Sequence, residues 1–383
     1  MQTTPITPDL VRGALELERT ERGLLPHRLP ERARRQAGGD AQLLSAQSQP
    51  SGVRLVFRTT ASVVELDTLR SVTTYAGIPA RPDCFYDLRV DGELVAQTTQ
   101  PSGDVVEGDF ATGRETLTRG EPGTARFVGL PARDKLVELW LPWNETVHLI
   151  ALRTDALVSP APVTRRTWVH HGSSISQGSN AASPSTTWPA VAARRADVEL
   201  VNLGLAGSAV VDPFTARAIR DTPADALSVK LGINVVNHDA MRRRAFAPAV
   251  HGFLDTIRDG HPDTPLVLVS PLFCPIHEDT PGPGTFDVEA LGQGLVRFLA
   301  LGDPADVATG RLTLRVIREV LAEVVAQRGD PALAHLDGLE LYGEPDHERL
   351  PLPDALHPSP EAHELIGERF AALAFGPGGP LSG

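Results

Sequence analysis

A chain of 383 residues exceeds the usual size of a single hydrophobic core, so two domains are expected. Hydrophobic content of 41% and charged content of 22% are those of an ordinary soluble globular protein. The 36 Lys+Arg against 48 Asp+Glu give a net charge of −12 without a basic tract, which argues against nucleic acid and anionic membrane surfaces as partners. Arg242-Arg243-Arg244 is too short to change that and reads as a solvated helix face. Cys84 and Cys274 are far apart and make neither a disulfide framework nor a zinc site. The start, Met-Gln-Thr-Thr-Pro-Ile-Thr-Pro, lacks a basic segment followed by an apolar run, and no uncharged apolar run is long enough to span a bilayer. A cytoplasmic location is the expectation.

Residues 8–50 read as helix-prone and charged, with helices over 11–22 and 30–46. From Val53 the period changes to short alternating runs at 53–58, 63–66, 85–90, 93–96, 125–128, 136–141 and 147–152. Asp91-Gly92 between two of them is the dipeptide of a tight hairpin. Strands without intervening helices predict an all-β sandwich of jelly-roll type. Ser159-Pro160-Ala161-Pro162 reads as a linker, giving an N-terminal helical segment plus sandwich over 1–160 and a second domain over 161–383. The second domain alternates strands (166–169, 199–202, 226–230, 265–270) with helices (188–195, 213–220, 247–259), the pattern of an α/β fold with a parallel sheet. An irregular stretch rich in Pro, Gly and Asp covers 274–310, followed by a helix at 312–327 and a strand at 336–341. Ser359-Pro360-Glu361 is a helix start, and Ala362, Leu365, Ile366, Phe370 and Leu373 form its apolar face. Trp168 and Trp188 read as core, His277-Glu278-Asp279 as a solvated loop, and the tail from Gly376 as frayed. His170, His171, His238 and His277 lack metal-ligand spacing.

Four local patterns carry the chemistry: Gly172-Ser173-Ser174-Ile175-Ser176-Gln177-Gly178, Asn202-Leu203-Gly204-Leu205-Ala206-Gly207-Ser208, Gly232-Ile233-Asn234 and Asp354-Ala355-Leu356-His357-Pro358. Each of the first three follows a predicted strand, and loops at the carboxyl edge of a parallel sheet are where ligands bind. Serine-based acyl transfer needs a base, a carboxylate that orients it, and donors for the oxyanion, and the set contains one of each.

In this set the chain resembles the SGNH, or GDSL, family of serine hydrolases over about residues 165–375. The resemblance implies a flavodoxin-like three-layer domain, with Ser174 as nucleophile, Asp354 and His357 completing a triad, and Asn234 with the Gly207 and Ser174 amides as an oxyanion hole. Two positions depart from the family pattern: Ser173 stands in place of its aspartate, and Val235 in place of the aspartate after the oxyanion asparagine. Ser173, one residue early, is thus a second candidate hydroxyl; register with Ile175 and Gly178 favours Ser174.

The N-terminal region is similar to that of a GDSL-type acyltransferase of actinobacterial tetracycline-type polyketide biosynthesis. The combined resemblance implies an O-acyltransferase that moves an acyl group from a CoA thioester to a hydroxyl of a secondary metabolite. No metal or organic cofactor is required, acyl-CoA being a co-substrate. A carboxyl esterase or carbohydrate deacetylase using water is the alternative, and an inactive carbohydrate-binding protein the reading from another class. Segment 274–310, with an edge of the sandwich, is expected to select the acceptor.

Overall fold

The structure, a computed structural model, describes residues 1–109, 112 and 114–383. The chain divides into two units: Met1–Pro30 with Ser45–Thr164 and Ser183–Ser185, and Glu31–Leu44 with Arg165–Ala182 and Thr186–Gly383. Segment Glu31–Leu44, which the sequence reading grouped with the sandwich, thus belongs to the α/β unit. There the Arg217 guanidinium donates to Gln36 Oε1 at 2.6 Å, and Gln42 Nε2 donates to the Ala206 carbonyl at 2.9 Å.

In the first unit the alternating runs pair into two sheets. One is ordered Arg114–Thr118, Gly103–Asp109, Val63–Tyr75, Thr146–Thr154, Gly23–His27, Glu16–Thr20; the other Val158–Pro160, Arg54–Thr59, Lys135–Trp140, Phe85–Val90, Glu93–Thr99. Leu55, Phe57, Leu88 and Leu139 of one sheet and Val64, Leu66, Phe127 and Leu149 of the other share one buried cluster, which makes a β-sandwich. Asp91 and Gly92 both take positive φ, +49° and +88°, and close the predicted hairpin with Val90 opposite Glu93.

Three readings of this region are corrected. Residues 11–22 form no helix: Glu16–Thr20 and Gly23–His27 are antiparallel strands, with Leu17 opposite Pro26 and Leu24 opposite Leu149. Pairing with the sandwich outweighs a helical preference that Gly13 and Gly23 already confine to a short span. Gly103–Asp109 and Arg114–Thr118 are strands that weak alternation hid, the first running parallel to Val63–Tyr75. Ser159 and Pro160 lie in a strand on the sheet edge, where proline's missing N–H is tolerated.

In the second unit five parallel strands are ordered Glu199–Gly204, Thr167–Gly172, Ala226–Lys230, Leu266–Val269, Leu333–Leu336 among the described residues, the 2-1-3-4-5 order of a flavodoxin-like sheet. The strands are buried on both faces, and the expected helices appear as Trp188–Arg195, Pro213–Asp221, Arg243–Arg258 and Leu314–Arg328. Ser359 Oγ accepts the Ala362 amide at 3.2 Å and starts the Pro360–Phe370 helix. Trp168 and Trp188 are core residues packed on Phe370, with ring centroids 5.1 Å and 5.2 Å away. Among the described residues no helix is long and apolar enough to cross a membrane.

Three expectations fail here as well. Segment 336–341 is not a strand; the strand is Leu333–Leu336, and Asp337 accepts the Leu339 amide at 3.0 Å to cap a short helix, Gly338–Leu341. His277 and Glu278 are buried rather than solvated, because the short Pro275–Glu278 helix folds inward and Glu278 pairs with buried Arg318. The tail is anchored rather than frayed: Leu381 is fully buried, its amide donates to the Ala374 carbonyl at 2.8 Å, and Arg166 donates to its carbonyl at 3.2 Å. Leu381→Ala is therefore expected to lower unfolding free energy by about 2–4 kcal/mol in urea titration, as for a core leucine. A loss under about 0.5 kcal/mol would mean that the tail is frayed after all.

Candidate active site

The loops after the first three strands and the loop before the last helix meet at the carboxyl edge of the sheet. Thr167–Gly172 ends in an extended Ser173, and a single helical turn, Ser174–Gln177, follows before Gly178 at φ +125°. Only a glycine fits at the end of the neighbouring strand: a Cβ on Gly204 would lie 2.4 Å from the Gln177 amide nitrogen. Asn202 Nδ2 donates to the Ser176 carbonyl at 2.9 Å, and Gln177 Oε1 accepts the Ala206 amide at 2.9 Å, so the two loops are clamped together.

Beneath the turn lies a buried relay. Trp168 Nε1 donates to Ser228 Oγ at 2.8 Å, Ser228 Oγ lies 2.7 Å from His170 Nδ1, and His170 Nε2 lies 2.8 Å from Ser176 Oγ. Burial first, then the neighbouring His171 and Lys230, hold the His170 ring well below the ordinary histidine range. The neutral ring bridges Ser228 and Ser176, which fixes the turn from below.

Ser174 Oγ faces the His357 ring, with Nε2 at 2.9 Å, and His357 Nδ1 stands 2.8 Å from Asp354 Oδ2. All three residues are buried. Asp354 Oδ1 accepts the Leu356 and His357 amides at 3.0 Å and 2.7 Å, and Ala355 takes φ +67°, the tight bend that lets one three-residue loop carry both groups. Burial acts to raise the Asp354 carboxyl, but the His357 hydrogen bond and charge, with the two amides, outweigh it and bring it down to about 2. Asp354 is thus ionised throughout the neutral range. The imidazole with a proton on Nδ1 leaves an Nε2 lone pair for the Ser174 hydroxyl, the arrangement of a charge-oriented base beside a nucleophile.

Asn234 sits in the Ile233–Asn237 turn after the third strand, and its Oδ1 accepts the Ala209 amide at 3.1 Å. That contact orients the side-chain amide with Nδ2 available as a donor. Gly207 takes φ +69°, and its carbonyl accepts from His238 Nε2 at 2.6 Å. Among the described residues neither the Gly207 nor the Ser174 amide donates to a backbone carbonyl.

Ser174, Asp354 and His357 are therefore brought together, and Asn234 and Gly207 are held on loops tied to each other. The Ser173 hydroxyl is buried without a partner and does not face His357. Val235 is fully buried, so the family aspartate is replaced here by an apolar contact. Asn180, overlooked in the sequence, takes φ +68° and donates from Nδ2 to Asp354 Oδ2 at 3.2 Å, the oxygen that also faces His357. An asparagine two residues after Gly178 was the available signal, because asparagine tolerates left-handed backbone. Segment 274–310 reaches the triad through Phe298: its amide donates to the Asp354 carbonyl at 2.9 Å, and its ring stands edge-on to His357 at 5.6 Å.

Residues 165–273 match the GDSL-like Lipase/Acylhydrolase family, and residues 10–149 match the SsfX3 N-terminal domain. Among solved structures, the chain is similar to the salicylyl-acyltransferase SsfX3 from a tetracycline biosynthetic pathway, with 29% identity, a TM-score of 0.77, and coverage of 96% of this chain and 95% of that one. A candidate GDSL-like lipase from Bacteroides ovatus shares the fold at 18% identity and a TM-score of 0.65, covering 94% and 93% of the two chains. A family two carbohydrate esterase from Clostridium thermocellum shares it at 14% identity and a TM-score of 0.56, covering 85% and 92%. No curated protein matches the chain. Two segments of the chain thus match a GDSL-like lipase/acylhydrolase domain and an SsfX3-type N-terminal domain, and together with the SsfX3 likeness they support an enzyme of the acyltransferase or esterase class.

Proposed function

We propose that the protein transfers an acyl group through an acyl-Ser174 intermediate, from a CoA thioester to a hydroxyl of a small secondary metabolite. The observation that carries this reading is the contact of Ser174 Oγ with a His357 ring whose far side meets an ionised Asp354. His357 Nε2 takes the Ser174 proton as Oγ bonds to the carbonyl carbon. The Asn234 side chain and the Gly207 and Ser174 amides hold the oxyanion. The imidazolium then protonates the departing thiolate as the C–S bond breaks. In the second half His357 removes the acceptor hydroxyl proton, that oxygen attacks the acyl carbon, and the same proton returns to Ser174 Oγ as it leaves. Asp354 keeps the Nδ1 proton in place and stabilises the imidazolium. None of these steps calls on a metal or organic cofactor.

A hydroxyl acceptor is supported by the similarity to SsfX3 along nearly the whole of both chains. The same acyl-enzyme formed from an oxygen ester and discharged to water gives an esterase, so the two readings differ in donor and acceptor and share the Ser174 chemistry.

Covalent labelling, product analysis and the kinetics of three variants test the proposal. A fluorophosphonate should label the wild-type protein and fail to label Ser174→Ala, with Ser173→Ala labelled as wild type; labelling that survives Ser174→Ala places the nucleophile elsewhere. Incubation with a panel of acyl-CoA thioesters, with and without a polyhydroxylated acceptor, should yield acyl ester in excess of free acid when the acceptor is present. Free acid alone, whatever the acceptor, identifies water as the acceptor and overturns the transferase reading. Asp354→Asn should lower kcat about 10³–10⁴-fold by removing the group that sets the histidine tautomer, and Asn234→Ala about 10²–10³-fold by removing one oxyanion donor. Asn180→Ala should cost about tenfold, the weight of one hydrogen bond to a charged oxygen. Equal losses for Asn180→Ala and Asp354→Asn would show that Asn180 does more than position the carboxylate.

A further inference from the structure

Below the loops of the site is a small apolar cavity with a lysine in its wall. Its lining includes Ile175, Ile233, Leu356 and Pro358, together with Lys230 and Cys274. The first four are the sequence neighbours of Ser174, Asn234 and His357, so the space lies against the loops that carry those three residues. Lys230 is the last residue of the Ala226–Lys230 strand and is 3% exposed. Among the described residues its ammonium has no hydrogen-bond or ion-pair partner in the chain, while its backbone belongs to the sheet. The nearby Cys274 thiol is pushed up to about 12, chiefly by burial, and so supplies no counter-charge.

An ammonium taken out of water without a partner is costly, and buried charges in proteins are normally paired or neutralised. Burial brings Lys230 down to about 8, which still leaves most of it charged at neutral pH. A leucine or methionine would fill this strand end at less cost, so the charge calls for a polar partner within the cavity. The space available to the centre of a water-sized sphere is about 10 Å³, room for a single heavy atom. Three donors on one buried ammonium call for an acceptor oxygen, and the apolar remainder of the wall suits the methylenes leading to it.

We propose that this cavity is the distal end of the acyl subsite, and that Lys230 selects short acyl groups carrying an acceptor oxygen, hydroxyl or carboxylate, over plain alkanoyl groups. The proposal rests on the Ser174 acyl-enzyme reading and specifies its donor. An acyl group seated with its oxygen on Lys230 is held at both ends, by the oxyanion donors and by the ammonium. A plain alkanoyl group would leave the ammonium unpaired, and a site built to bond a polar group rejects analogues that lack it.

The test measures hydrolysis of ethyl butyrate, ethyl 3-hydroxybutyrate and monoethyl succinate by the full chain in a pH-stat at pH 7, with p-nitrophenyl acetate as the reference ester. Wild-type kcat/KM should favour at least one oxygen-bearing ester over ethyl butyrate by tenfold or more, and which one it favours identifies the oxygen. Lys230→Met, close in shape and without the buried charge, should abolish that preference, lowering kcat/KM for the favoured oxygen-bearing ester and raising it for ethyl butyrate, each relative to p-nitrophenyl acetate. Lys230→Gln, which retains a donor, should keep part of the preference for the hydroxyl ester. Equal loss on all esters in both variants would show a structural lysine and overturn the proposal, as would a wild type that prefers ethyl butyrate. A wild type inert toward p-nitrophenyl acetate and all three ethyl esters would overturn the acyl-enzyme reading and this subsite with it, whereas turnover of p-nitrophenyl acetate without the preference would overturn the subsite alone.

Discussion

The bond between Asp354 and His357 is the constraint on which the site depends. A carboxylate and an imidazole three residues apart can meet only if the loop between them bends sharply. Ala355 supplies the bend with left-handed backbone, at a conformational cost that the two amide bonds to Asp354 Oδ1 offset. Held this way, His357 needs no distant residue to set its tautomer, and its Nε2 points at Ser174 across a sequence separation of 183 residues. Everything else at the sheet edge brings Ser174 to that point: the relay from Trp168 to Ser176, the clamp from Asn202, and the close approach at Gly204.

The electrostatics of the site follow from where water is excluded. Burial pushes the Asp354 carboxyl up, and the hydrogen bond and charge of His357 with the Leu356 and His357 amides keep it ionised. Burial, with the neighbouring His171 and Lys230, keeps His170 neutral, so it serves as a hydrogen-bonded strut in the relay. Lys230 is the exception among these buried groups, since it has no compensating protein partner. Buried charge is tolerated where it meets a bound polar group, which is what the proposed acyl subsite would offer Lys230.

Features encoded over a few residues were legible in the sequence. The Asp91-Gly92 turn, the Ser359 cap, the apolar parallel strands and the Asp354–His357 spacing each depend on neighbours within a turn or a pleat, and all appear in the structure. Features set by distant partners were not. The strands at Glu16–Thr20 and Gly23–His27 exist because Leu24 meets Leu149, and the tail is ordered because Leu381 finds a pocket beside Ala374. His277 and Glu278 read as solvated because the buried Arg318 that pairs with Glu278 lies 40 residues away. Asn180 and Lys230 were silent for the same reason: what matters about them is which groups they meet or lack once the loops converge.

The most direct test of the central claim is to catch the acyl-enzyme. Wild-type protein mixed with an activated ester and acid-quenched within milliseconds should gain the mass of one acyl group, and proteolysis should locate it on Ser174 within the Gly172–Gly178 segment. Turnover with an acyl adduct on any other residue, or with no adduct under conditions where deacylation limits the rate, would contradict the account.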